Sequence, residues 1–143
     1  MKTIDAYKED AILLVEAGFI AVNQADEDSA QKLFSAAELL NSSNPLCKIG
    51  FGYLHLHKLE LIKACQCFES VLQKDPHNEM AKAMLGLSLT LQPDGSTKGE
   101  QILEQTVKSK DPLVKRLSES SLSFVEKFVK KASGPAGSPT KQK

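Results

Sequence analysis

A chain of 143 residues is long enough for one domain with a buried core and not long enough for two. Eighteen Lys and Arg balance eighteen Asp and Glu, which argues against a basic nucleic-acid binder and against a polybasic membrane binder. With 41% hydrophobic and 25% charged residues, the composition is that of a folded globular protein and not of a disordered one. The first ten residues contain Asp5, Glu9 and Asp10 and no apolar signal-peptide core, so export by that route is not expected. No apolar run approaches the ~18 residues of a membrane span. Periodic apolar residues predict helices at roughly 4–23, 27–41, 45–57, 60–74, 78–91 and 97–109. Asn44-Pro45 and Asp111-Pro112 each read as an N-cap followed by proline at the first helical position. After the second pair, Leu113, Leu117, Phe124, Val125, Phe128 and Val129 predict a seventh helix over about 112–131. Residues 133–143 hold no apolar residue larger than Ala or Pro, so a flexible basic tail is expected over 132–143. The neutral total also hides an asymmetry. Residues 127–143 carry five Lys and no acid, while residues 1–126 carry thirteen bases against eighteen acids.

The elements repeat. Gly18, Gly52 and Gly86 recur at one constant interval, and the pairs Ala30 and Ala64, and Phe34 and Phe68, share it. The third copy continues one residue late with Gly99 and Leu103, which fits an insertion at Gln92-Pro93-Asp94-Gly95. The interval, thirty-four, is the period of the tetratricopeptide repeat, and the middle copy resembles its pattern from Lys48 to Pro76. Phe51-Gly52 stands at the Leu-Gly pair, Ala64 and Phe68 at the A-x3-F pair, and Pro76 closes the unit; Lys48 and His55 depart at the Trp and Tyr positions. The resemblance implies an all-α fold, a right-handed superhelical stack of about three helix pairs plus a C-terminal capping helix. The expected domain spans 1–131, with units about 11–44, 45–78 and 79–112 and the cap over about 112–131. Within each pair, glycine at the eighth position of the first helix removes a Cβ where the second helix crosses. Small Ala at the twentieth position does the same from the other side, and Phe at the twenty-fourth fills the space.

Residues that carry catalysis are sparse. His55 and His57 lie two apart, hence about 200° apart on a helix, and Cys65 and Cys67 share that defect, so neither pair can hold one metal. No phosphate-loop, zinc-protease or nucleophile-elbow motif occurs, and Gly50 and Gly52 fall inside a predicted helix. Three cysteines, an odd number, suit a reducing cytoplasm. The expectation is a protein that is not an enzyme, with no cofactor, no metal, no nucleic-acid partner and no membrane insertion.

The informative residues lie on the first helix of each pair. In a tetratricopeptide stack the second, fifth, ninth and twelfth positions of that helix face the concave surface. Here they are Ile12, Val15, Phe19 and Val22; Leu46, Ile49, Tyr53 and Leu56; and Met80, Ala83, Leu87 and Thr90, with Leu91 beside the exception. Eleven of those twelve are apolar or aromatic, so the groove is expected to hold an amphipathic helix and not an acidic peptide. Adaptors of this repeat that clamp carboxylates use Lys, Arg and Asn at these positions, which this chain lacks. Two other arrangements stay open: a groove filled by the chain's own N-terminal segment or capping helix, and a homodimer of the unliganded protein.

A three-unit stack of this length with an apolar groove and a capping helix resembles the tetratricopeptide chaperones of bacterial type III secretion. One branch of that family holds pore-forming translocators. The other, smaller, holds the C-terminal helix of the needle subunit together with a small helical co-chaperone. The length and the segment from Ser109 to the final amphipathic helix resemble the needle branch. The resemblance implies a bacterial cytoplasmic chaperone that prevents premature polymerisation of a secreted filament subunit. A translocator chaperone, a generic adaptor or a homo-oligomer are the alternatives.

Overall fold

Asn44 and Asp111 open helices as their chemistry dictates. In the computed structural model, which describes residues 4–130, the Asn44 side chain accepts a hydrogen bond from the Leu46 N–H at 2.9 Å. The Asp111 side chain accepts from the Leu113 N–H at the same distance, and both helices begin at the proline that follows. Asp26 and Asn78 cap two further helices, accepting from the N–H groups of Ser29 and Ala81. After a 3₁₀ turn at Ile4–Tyr7, the described residues form α1 (Lys8–Asn23), α2 (Glu27–Leu40), α3 (Pro45–His57), α4 (Leu61–Lys74), α5 (Glu79–Thr90), α6 (Ser96–Thr106) and α7 (Pro112–Phe124). A π-helical segment, Val125–Lys130, continues α7. All seven expected helices are present within a few residues of their predicted bounds, and the described residues contain no strand. The expected tail over 132–143 lies outside the described residues.

The chain divides into two compact units, Met1–Ala81 and Lys82–Lys143, with the boundary inside α5. The first unit holds twelve acids and seven bases, the second eleven bases and six acids, so the units carry −5 and +5.

In the first unit, α1 packs on α2, α3 packs on α4, and α3 also meets α1 and α2. Ala11, Val15, Ala21, Val22, Ala30, Phe34, Ala37, Cys47 and Leu54 form one buried cluster from α1, α2 and α3. The glycine expectation is met in detail. A Cβ on Gly52 would stand 2.5 Å from Cε1 of Phe68, and one on Gly18 would collide with the ring of Phe34. Gly50 presses on the same Phe34 ring from α3, so one buried phenylalanine is clasped by two glycines of successive copies. Helix axes that approach this closely leave no room for a methyl group.

The connections between paired helices repeat as well. Ala25 and Leu59 adopt left-handed backbone, with φ of 61° and 60°. In both loops the next residue donates back five positions, Asp26 N–H to Ala21 C=O and Glu60 N–H to His55 C=O, and the left-handed residue donates back three. This is the Schellman closure of a helix C-terminus.

In the second unit, a Cβ on Gly86 would meet Cγ of Leu103 at 3.0 Å and the Gly99 carbonyl oxygen at 3.2 Å. Gly99 and Leu103 therefore occupy the places of Ala64 and Phe68 in the third pair, one residue late. The loop explains the lag. The residue equivalent to Ala25 and Leu59 is Pro93, whose ring locks φ at a negative value and forbids the left-handed closure. The chain turns instead over Gln92–Gly95, with the Gly95 N–H donating to the Gln92 carbonyl. Further on, α7 packs on α6 through small and hydroxyl side chains. Val114, Ser118, Ser121 and Val125 are buried, and the hydroxyls of Ser118 and Thr106 share a hydrogen bond of 2.6 Å.

Candidate functional site

The twelve positions expected to line a concave face divide into two sets. At the fifth position Val15, Ile49 and Ala83 are buried, and at the twelfth position Val22, Leu56 and Thr90 are buried too. At the second position Ile12 is 41% exposed and Leu46 37%, with Met80 half-buried. At the ninth position Phe19, Tyr53 and Leu87 are half-buried, as is Leu91 in the turn after α5. Val15, Val22, Ile49, Leu56 and Ala83 are thus removed from the reachable surface, a correction to the sequence reading. Positions two and nine differ by about 20° around a helix, as do five and twelve, and about 60° separates the two sets. An apolar arc wider than about 100° spans both. Only the packing of neighbouring helices decides which edge of the arc closes.

Within the first unit the reachable edge runs over α1 and α3 through Ile12, Phe19, Leu46 and Tyr53. The aromatic rings are in contact. Phe19 meets the buried Phe34 edge-on at 5.5 Å and Tyr53 at 5.2 Å, and Tyr53 meets the His57 ring at 4.5 Å. Such rings give a rigid floor at low conformational cost. The Tyr53 hydroxyl donates to Oδ1 of Asn23 at 2.7 Å, which ties α3 to the end of α1 and fixes the ring. Burial pushes the Tyr53 hydroxyl above its ordinary pKa, so it stays a neutral donor. Asn23 escapes the sequence reading, and His57 enters it only as a rejected metal ligand, because both occupy the thirteenth position, outside the assumed inner face. The shared polar character of that position across two copies was the available signal.

Beyond the strip lies a charged clasp. His55 Nδ1 is 2.9 Å from Glu60 Oε1, the Lys58 ammonium donates to Glu27 at 2.6 Å and reaches Glu60 at 3.2 Å, and Lys63 reaches Glu60 at 3.3 Å. These contacts, His55 first, hold the Glu60 carboxyl down at about 2. The clasp joins the start of α2 to the α3–α4 loop. A separate cleft of about 370 Å³ lies among the ends of α2 and α4 and the start of α3, lined by Glu38, Ser43, Asn44, Lys48, Lys74 and Asp75. Its charges are of both signs, with Lys48 and Glu38 3.9 Å apart.

Burial pushes the Cys47 and Cys67 thiols above their ordinary range, which keeps them protonated near neutral pH, the state of packing groups and not of nucleophiles. Cys65 is buried. Among the described residues no three His, Cys, Asp or Glu side chains gather as a metal site would require. No helix among them is long and apolar enough to cross a membrane. Comparison with protein-family models, with curated proteins and with solved structures finds no match to this chain.

Proposed function

We propose that the chain is a non-catalytic tetratricopeptide-type chaperone whose apolar strip on α1 and α3 holds an amphipathic helix of a secreted filament subunit. The observation that carries this reading is the reachable row Ile12, Phe19, Leu46 and Tyr53, apolar on two successive copies of one repeat and floored by rings in mutual contact. A row of this kind, about two helical turns long on each of two helices, suits the i, i+3, i+4, i+7 anchors of a helix laid across it. The regular recurrence of the Gly18–Phe34, Gly52–Phe68 and Gly86–Leu103 contacts supports the tetratricopeptide assignment. The likeness to type III secretion chaperones supplies the cargo class, a bacterial needle-type subunit kept monomeric in the cytoplasm, with a small helical co-chaperone as second partner.

The test is co-expression with a needle-type subunit encoded in the same organism. The subunit is expected to co-purify as a soluble heterocomplex with the unaltered chain. It is expected to be lost with Ile12→Asp/Leu46→Asp, whose side chains are already partly in water, at unchanged far-ultraviolet circular dichroism. Retention of the subunit by that double variant would overturn the reading.

A further inference from the structure

Leu13 and Ile20 belong to neither the reachable strip nor the helix-pair core. They are the third and tenth residues of the first copy. The same positions hold Cys47 and Leu54 in the second copy and Ala81 and Ser88 in the third, all of them buried. Leu13 and Ile20 are 63% and 57% exposed. Cys47 and Leu54 lie in the cluster formed with α1 and α2, so these positions are where the first helix of one copy packs on the pair before it. On α1 the same packing face is present, and among the described residues nothing covers it.

The charge on this face restricts what can cover it. Glu16 lies beside Leu13 and Ile20 on the helix and stands where the second copy has Gly50, the residue pressed against Phe34 of the preceding pair. Glu9 lies further along the same line. Burying an unpaired carboxylate is costly, so the covering helix must bring cations.

The second unit carries such a helix. While α7 and the π-helical segment bury Val114, Ser118, Ser121 and Val125, they leave Leu113, Phe124 and Phe128 exposed, with the two phenylalanine rings 5.1 Å apart. Arg116 and Lys127 border this stripe on the wheel, and Glu119 and Glu126 lie on the far side. Lys130 is engaged by Glu100 and Glu126, whereas Arg116 and Lys127 make no ion pair among the described residues. Residues 131–143 contain no apolar side chain large enough to cover the stripe.

We propose that the α1 face at Leu13, Glu16 and Ile20 docks on the α7 stripe at Phe124 and Phe128 of a second copy of this chain, with Glu16 and Glu9 meeting Lys127 and Arg116. The unit charges of −5 and +5 favour that pairing over α1 against α1, which would bring Glu16 to Glu16. The contact is heterologous, one surface against a different one, so each copy carries both partners of the contact and association proceeds into a closed ring or an open chain as concentration rises. The inference does not rest on the helix-binding reading, because Leu13, Ile20 and Phe128 lie outside the reachable strip.

Sedimentation velocity of the full chain over a concentration series tests it. The unaltered chain is expected to gain mass by association with rising concentration, and less so in high salt. Ile20→Asp and Phe128→Asp, both at exposed positions, are each expected to be monomeric with unchanged circular dichroism. Mixed one to one, those two variants retain one competent surface each and are expected to form a dimer and nothing larger. Glu16→Lys and Lys127→Glu should each lose association and recover it when mixed. The proposal is overturned if the unaltered chain stays monomeric at every concentration. It is equally overturned if Phe128→Asp associates like the parent, or if the Ile20→Asp and Phe128→Asp mixture stays monomeric; loss with Ile20→Asp alone would mark α1 as an isologous face.

Discussion

Ala25 and Leu59 stand one repeat apart and share one backbone conformation, φ of 61° and 60°, at the same step of two successive helix connections. Left-handed backbone costs a non-glycine residue about 1 kcal/mol, and in a Schellman closure the position belongs to glycine. Leu59 is largely exposed, so its side chain repays little of that cost by burial. Leu59→Gly is expected to raise stability by about 0.5–1 kcal/mol, and Leu59→Val, β-branched, to lower it by more. Urea denaturation midpoints at fixed slope measure both.

Gly52 and Phe68 illustrate the opposite use of glycine. In mid-helix the backbone would welcome alanine by about 1 kcal/mol, but the added methyl would meet the Phe68 ring at 2.5 Å. Overpacking of this kind costs about 1–3 kcal/mol, so Gly52→Ala is expected to be a net loss of up to about 2 kcal/mol. Gly52→Ala/Phe68→Leu should be less destabilised than the sum of the two single changes, read as a coupling energy in a double-mutant cycle.

The division of the expected groove predicts a contrast between neighbours on α3. Ile49 is fully buried, and Ile49→Ala is expected to cost about 2–5 kcal/mol. Leu46→Ala, three residues earlier on an exposed edge, should cost less than about 1 kcal/mol. Thermal unfolding of the two variants side by side checks it, and equal losses would show that Leu46 is also core.

Glu60 gives a pH dependence of known sign. His55, then Lys58 and Lys63, lower its folded pKa from 4.5 to about 2. A carboxyl lowered on folding adds stability that is present above the unfolded value and is lost as pH falls through the folded one. The loss therefore runs from about pH 4.5 down to about pH 2. Glu60→Gln is expected to flatten the stability profile in that window. Denaturant titrations at several pH values report the slopes.

Helix positions, the caps at Asn44 and Asp111 and the glycine–phenylalanine contacts were legible in the residues, because each rests on local chemistry or on one repeating distance. The constant recurrence carries the tetratricopeptide resemblance, and that resemblance implies Gly18 against Phe34 and Gly52 against Phe68. Even the late third copy and its seat in the Gln92–Gly95 turn were visible, although the backbone reason for it was not. That cause is conformational: Pro93 cannot take the φ that Ala25 and Leu59 adopt, and the sequence does not announce which loop residues go left-handed.

Packing alone separated Ile12 from Val15 and Leu46 from Ile49. Periodicity reports the angle of a side chain around its own helix, and the small angle between these two sets falls inside one broad apolar arc. Whether a residue in that arc is core or surface depends on where the next helix lies. The same holds for Leu13 and Ile20, whose counterparts Cys47 and Leu54 are buried only because a preceding pair lies against them. Burial is a property of neighbours, and neighbours exist only in the folded chain.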